Sequence, residues 1–218
     1  MVAAVILAAG SSLRFSGVKP KQFHTINGKE LLAFSLSVFK SCSNIDEIVL
    51  VVPENYLSDM KLKYPKFKIV SGGKTRKESS YNGLKACSNN TQKVLIHDAA
   101  RIFITKKMID DCLVYLDHFD AVSLAIPLVD TVSICKNNEI KKVLNRDELR
   151  ALQTPQGFNF NKIKLAHEKY HEDATDDIRL MFEDGLKCKI IDGHENNFKI
   201  TTKNDFENAL NLIKYLKL

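Results

Sequence analysis

The chain has no apolar run long enough to cross a bilayer, which takes about 18 residues or more, so a membrane-spanning helix is not expected. Its N-terminus, Met1-Val2-Ala3-Ala4-Val5-Ile6-Leu7, lacks the basic stretch that opens a secretory signal, and a cytoplasmic protein is the expectation. No Cys-x-x-Cys pair occurs among Cys42, Cys87, Cys112, Cys135 and Cys188, so zinc ribbons and thioredoxin-like redox motifs have no support. An odd, scattered set of cysteines is no disulfide framework, and all five read as reduced thiols, mostly core-filling. Neither G-x-x-x-x-G-K-[ST] nor G-x-G-x-x-G is present, which removes direct support for the common ATPase and dinucleotide loops. Internal repeats, low-complexity tracts and Pro/Gly linkers are also missing.

What remains is ordinary globular composition. The 218 residues are 44 % apolar and 27 % charged, enough to bury a sizeable core in one domain covering 1–218. Lysine and arginine total 32 against 26 acidic residues, a net charge of +6 that favours an anionic partner, either nucleic acid or a small phosphorylated ligand.

Near-continuous β-branched runs predict buried strands at Val2 to Leu7, Ile48 to Val52, Lys68 to Val70, Val94 to His97, Ala121 to Ile126 and Lys189 to Ile191. Helical stripes lie between them: Leu31 to Phe39, Arg76 to Cys87, and Thr105 to Leu116 with Thr105 as N-cap. A last helix opens on the capping box Thr202 and Asp205, with Phe206, Ala209, Leu210, Ile213 and Leu216 as its buried face. Alternation of strand and helix gives an α/β class: a doubly wound, mostly parallel sheet. One segment breaks the rhythm. Thr131 to Cys135 and Ile140 to Leu144 flank Lys136-Asn137-Asn138-Glu139 and read as a protruding β-hairpin with one apolar face. A lone hairpin is marginal in water, so this one should lie on its own domain or on another subunit.

Ligands of open parallel sheets bind beyond the carboxyl ends of the strands. There the chain places Ala8-Ala9-Gly10-Ser11-Ser12-Leu13-Arg14 followed by Lys19-Pro20-Lys21-Gln22; Ser71-Gly72-Gly73-Lys74-Thr75-Arg76 leading to Ser79; His97-Asp98-Ala99-Ala100-Arg101; and Asp130-Thr131. Small residues let backbone N–H groups approach a phosphate, and a helix start attracts anions. Each segment alone is equally a solvated loop or a simple turn; their agreement on one edge points to a site. His167-Glu168-Lys169-Tyr170-His171 matches H-E-x-x-H, the two-histidine zinc signature. Its charged flanks and the lack of a third ligand favour a solvated helix face, and no metal ligand is assigned.

Taken together, the blocks resemble the 2-C-methyl-D-erythritol 4-phosphate cytidylyltransferase family. They are Ala8-Ala9-Gly10 with Arg14; Pro20-Lys21-Gln22; Gly72-Gly73 with Arg76 and Ser79; His97 to Arg101; Asp130-Thr131; Arg146; Gln153-Thr154-Pro155-Gln156; Thr175-Asp176-Asp177; and Asn197 to Thr201. Ribitol-5-phosphate cytidylyltransferase shares most of them, but its first loop usually reads Ala-Gly-Gly and its Asp block His-Asp-Ala-Val-Arg. Four positions depart from the family: Ser12 stands where a second Gly is frequent, Lys74 where an acidic residue is, Ile102 where Pro is, and Ser133 where Lys is.

The resemblance implies a Rossmann-like nucleotidyltransferase joining CTP to methylerythritol phosphate with release of pyrophosphate, as part of isoprenoid precursor synthesis. It implies catalytic roles for Arg14 and Lys21 at the α-phosphate. Ala8, Ala9, Gly10, Gly73 and Ser79 would contact the nucleotide; Asp98, Arg101, Thr131, Arg146 and Lys199 would bind the phosphorylated polyol. Mg²⁺ would arrive with CTP, and a hairpin arm at about 129–148 would cross into the second subunit of a homodimer. A non-enzymatic nucleic-acid binder is the rival reading. It needs a basic stripe with interleaved aromatics, whereas the lysines here are scattered, so no nucleic-acid or membrane partner is expected.

Overall fold

The computed structural model describes residues 1–10, Phe15 and 19–216. Seven strands form one sheet: β1 (Val2–Leu7), β4 (Glu47–Val52), β5 (Lys68–Ser71), β6 (Lys93–Asp98), β7 (Ala121–Pro127), β10 (Arg150–Asn159) and β11 (Cys188–Asp192). Their order is β11-β7-β10-β6-β1-β4-β5. Pairing is parallel except at β10, which runs antiparallel to both β6 and β7. Two short strands, β2 (Thr25–Ile26) and β3 (Lys29–Glu30), make a small separate ribbon.

Period-2 alternation explains why the runs looked apolar throughout. Ala4, Ile6, Leu50, Val52 and Leu95 face one side, against Leu32, Leu36 and Phe39 of α1 (Leu31–Ser41) and Met108, Ile109 and Cys112 of α4 (Lys106–Tyr115). Ala3, Val5, Val49, Val51, Val94 and Ile96 face the other side. There they meet Leu84 of α3 (Arg76–Ala86), Phe160 and Ile163 of α5 (Phe160–Lys169), and Leu180 and Met181 of α6 (Asp177–Glu183). Both faces are thus covered, as a parallel sheet requires. The remaining helices are α2 (Leu57–Lys63) and α7 (Lys203–Leu216). Among the described residues, no helix is long and apolar enough to cross a membrane.

The capping expectations hold. Thr105 Oγ1 accepts from Met108 N–H, and Thr202 and Asp205 cap each other reciprocally at α7. In α7, Ala209 and Ile213 are buried, but Leu216 is 41 % exposed, so the predicted stripe runs one turn too far. Cys42, Cys87 and Cys112 fill the core, whereas Cys135 is exposed and Cys188 half-buried.

Strand β10 was not predicted. Its central Gln153-Thr154-Pro155-Gln156 carries polar side chains and a proline, and its pairing with β7 shifts register between Gln153 and Gln156. The polar groups are buried and mostly satisfied inside the sheet: Gln153 Nε2 donates to His194 O, and Gln156 Nε2 to Asp176 Oδ1. The hairpin is β8 (Ser133–Lys136) with β9 (Glu139–Val143), turned by Asn137 and Asn138 at φ 52° and 62°. Asparagine tolerates this left-handed region, and successive positive φ values suit a tight hairpin turn. Ile134, Ile140 and Val143 on it are all more than half exposed.

Candidate active site

The sheet reverses its winding beside β1, and a cavity of about 430 Å³ opens at the strand ends there. Leu7, Ala8, Ala9 and Gly10 after β1 form one wall; Gly73, Lys74, Thr75, Arg76 and Ser79 around the start of α3 form another. Asp98 and Ala100 after β6, with Lys21, Gln22, Lys199 and Thr201, complete it. A larger cavity of about 1220 Å³, between α1, α4 and β11, is lined by none of the predicted site residues that the structure describes.

Local packing sets each wall. The buried Gln22 side chain donates to the carbonyls of Ala8 and Gly10, fixing the loop after β1. Thr75 caps α3 by accepting from Glu78 N–H, while Gly73 N–H donates to Ser79 Oγ. A Cβ on Gly72 would stand 2.3 Å from Ala9 Cβ, so only glycine lets these two walls approach. The loop after β6 is set by a hydrogen-bond chain. His97 is fully buried; its Nε2–H donates to Arg101 O at 3.1 Å, and its Nδ1 accepts from Thr154 Oγ1–H at 3.1 Å. Thr154 Oγ1 in turn accepts from Asp98 N–H at 3.0 Å. Burial, the largest influence on His97, lowers its pKa from 6.5 to about 4, so the ring is neutral at pH 7.

Charge in the cavity is lopsided. Among the described lining residues, Lys21, Lys74, Arg76 and Lys199 face one carboxylate, Asp98. Lys199 Nζ lies 2.7 Å from Asp98 Oδ2; Arg76 Nε lies 3.5 Å from Oδ1, and Arg101 Nε 3.9 Å from Oδ2. Burial opposes ionisation of Asp98, but these three cations outweigh it and hold its pKa well below the usual carboxylate range. Arg101 also donates Nη1–H to Asn197 O at 2.9 Å. Among the described residues, two buried donors of the cluster, Arg76 Nη2 and Arg101 Nε, make no hydrogen bond.

Ala8, Ala9, Gly10, Lys21, Gly73, Ser79, Asp98 and Lys199 therefore converge, with Arg101 directly behind Asp98. Arg14 lies outside the described residues. Thr131 and Arg146 do not join this chain's cavity: both are exposed at the base of the hairpin, where Arg146 Nη1–H donates to Val129 O. The sequence pattern places Arg76 in a family block without a site role. A cation in the first turn of α3 opposes the helix dipole, and that anomaly was the available signal.

His167 contradicts the expectation of a solvated face. It is buried, its Nε2–H donates to Asp177 Oδ1 at 3.0 Å, and its ring stacks on Tyr81. His171 lies beyond the end of α5 and is exposed. The two imidazoles of the H-E-x-x-H pattern thus occupy different environments. Among the described residues, no group of three or more His, Cys, Asp or Glu side chains is arranged to hold a metal ion.

The family model described as 2-C-methyl-D-erythritol 4-phosphate cytidylyltransferase matches residues 2–214. A protein of that name from Clostridium perfringens (strain SM101 / Type A) is 38 % identical over 224 residues, covering 98 % of this chain and 99 % of its own. Another from Clostridium botulinum (strain ATCC 19397 / Type A) is 39 % identical, with 92 % of each chain covered. The crystal structure of 4-diphosphocytidyl-2C-methyl-D-erythritol synthase from Anaerococcus prevotii DSM 20548 superposes with a TM-score of 0.86. It is 31 % identical, and the match covers 98 % of this chain and 96 % of that one.

Proposed function

The chain belongs to the 2-C-methyl-D-erythritol 4-phosphate cytidylyltransferase family, and on that premise we propose how its strand-end cavity joins CTP to methylerythritol phosphate, releasing pyrophosphate. The observation that carries the reading is the convergence of four cations and two glycine-bearing loops on one carboxylate. The acceptor phosphate is the nucleophile. Its second pKa is about 6, so it is mainly dianionic at neutral pH and needs no general base. The obstacle is repulsion between two anions as charge builds on the α-phosphate. Fixed positive charge and in-line positioning relieve it. Lys21 is assigned to the α-phosphate, with Arg14 beside it by family resemblance. Ala8, Ala9, Gly10, Gly73 and Ser79 take the nucleotide, where small side chains leave backbone groups accessible.

Asp98, Arg101 and Lys199 take the acceptor. Among the described residues, Asp98 Oδ1 has no partner closer than Arg76 Nε at 3.5 Å, which leaves it able to accept from a polyol hydroxyl. Lys199 and Arg101 lie on the other carboxylate oxygen, placed for the acceptor phosphate. The donor set fits Mg²⁺ carried by the triphosphate rather than a protein cage, because the cavity's described lining offers one carboxylate and three cations already compensate it. Bound with the nucleotide, the ion would neutralise triphosphate oxygens; Lys21 and the loop N–H groups would orient what it carries.

The position of Thr131 and Arg146 supports a homodimer. Each arm would bury the side bearing Cys135, Ile140 and Val143 on the partner and deliver Thr131 and Arg146 to the partner's acceptor phosphate. The test is Lys21→Ala, expected to lower kcat about 10²-fold, the size of removing one preorganised donor at a transition-state charge. Near-normal turnover would remove Lys21 from this role.

A further inference from the structure

We propose that Asp177 and His167, which lie behind the cavity and do not line it, are positioning residues that hold the Arg76 guanidinium off the Asp98 carboxylate. This rests on the reading that Asp98 receives a hydroxyl of the acceptor. It gives a role to two sequence patterns the mechanism leaves unused, Thr175-Asp176-Asp177 and the first histidine of H-E-x-x-H.

Arg76 stands between two carboxylates. Its Nη1–H donates to Asp177 Oδ2 at 2.5 Å, whereas its Nε is 3.5 Å from Asp98 Oδ1, beyond a normal hydrogen bond. Asp177 is buried on α6 and is itself aimed from its far side. His167, on α5, donates Nε2–H to Asp177 Oδ1, and the imidazole is braced by the parallel Tyr81 ring, 5.6 Å between centroids. The neighbouring Asp176 caps α6 through Ile178 N–H and accepts from Gln156, so the start of α6 is pinned to β10. Burial pushes the Asp177 carboxyl up, but the Arg76 charge and the His167 hydrogen bond outweigh it and hold the pKa near 2. The tether is therefore ionised throughout the neutral range. An arginine freed from Asp177 would close on Asp98 in the fork-to-fork pairing that guanidinium and carboxylate favour. That pairing occupies Oδ1, the oxygen left for the acceptor.

The test measures KM for each substrate in the full-length enzyme carrying Asp177→Asn, with Asp98→Asn as reference and thermal unfolding alongside. The expected result is a rise of about tenfold in KM for methylerythritol phosphate, the size of losing one charge-assisted hydrogen bond, with KM for CTP changed less than twofold. A role confined to stability would lower the melting temperature and leave both KM values in place, which would overturn the proposal. If Asp98→Asn itself leaves the acceptor KM unchanged, the reading of the cavity fails and the tether with it. If Asp98→Asn raises it and Asp177→Asn does not, the tether alone fails. Should Asp177→Asn not fold, His167→Leu and His167→Gln carry the test. Leu removes the donor to Asp177 and should raise the acceptor KM severalfold, while Gln keeps a donor and should restore it. Equal values for the two variants would overturn the proposal.

Discussion

Acidification probes the His97 hydrogen-bond chain that shapes the loop after β6. The folded protein binds a proton on His97 only near pH 4, because the ring is fully buried, whereas the unfolded chain does so near 6.5. Between those values the unfolded state holds more protons. Stability is therefore complete above about pH 6.5 and falls as pH drops toward 4. The difference of roughly 2.5 pKa units corresponds to a total loss of about 3 kcal/mol at 1.36 kcal/mol per unit. By pH 5 about 2 kcal/mol of it should be gone. The Asp177 carboxyl, held near 2, loses its contribution only below about pH 3.8 and stays out of this window. Urea unfolding at 25 °C from pH 7.5 to 5, with a constant m-value, measures the loss directly. His97→Gln removes the titrating group while keeping an amide that can donate to the Arg101 carbonyl, and its profile should be flat to about 0.5 kcal/mol. A flat wild-type profile, or a variant that keeps the full slope, would refute the assignment of a buried neutral imidazole.

Gly72→Ala should destabilise by about 1–3 kcal/mol through overpacking and raise KM for CTP, because its Cβ would meet Ala9 Cβ at 2.3 Å. A melting temperature for Gly72→Ala equal to the wild-type value in calorimetry would discredit the close-approach argument. Subunit exchange tests the arm. Lys21→Ala and Arg146→Ala homodimers should each be nearly inactive, and mixing them should restore roughly a quarter of wild-type activity, since half the dimers then carry one intact composite site. No recovery, with exchange confirmed independently, would assign Arg146 to its own chain.

Much of the sheet was legible because burial on both faces leaves a continuous apolar signature: β1 was read at its observed bounds, Val2–Leu7, and the other parallel strands within a residue or two. Strand β10 was not legible. Its polar groups are satisfied by side chains from distant segments, such as Asn197 Nδ2–H donating to Thr154 O, and no local pattern encodes those partners. The same reason hides His167. Charged neighbours on α5 suggest an exposed helix, but the one inward imidazole is matched by Asp177, ten residues further on. The cavity was largely legible, since small residues and cations at strand ends carry their chemistry in their identity. Arg76 was missed because its role depends on which of two carboxylates it meets, and that is a tertiary fact.

The reaction itself can be followed by pyrophosphate release from purified protein supplied with CTP, Mg²⁺ and either methylerythritol 4-phosphate or ribitol 5-phosphate. Rapid pyrophosphate release that requires both CTP and methylerythritol phosphate is the predicted result. Faster turnover of ribitol phosphate, or none with either acceptor, would contradict it.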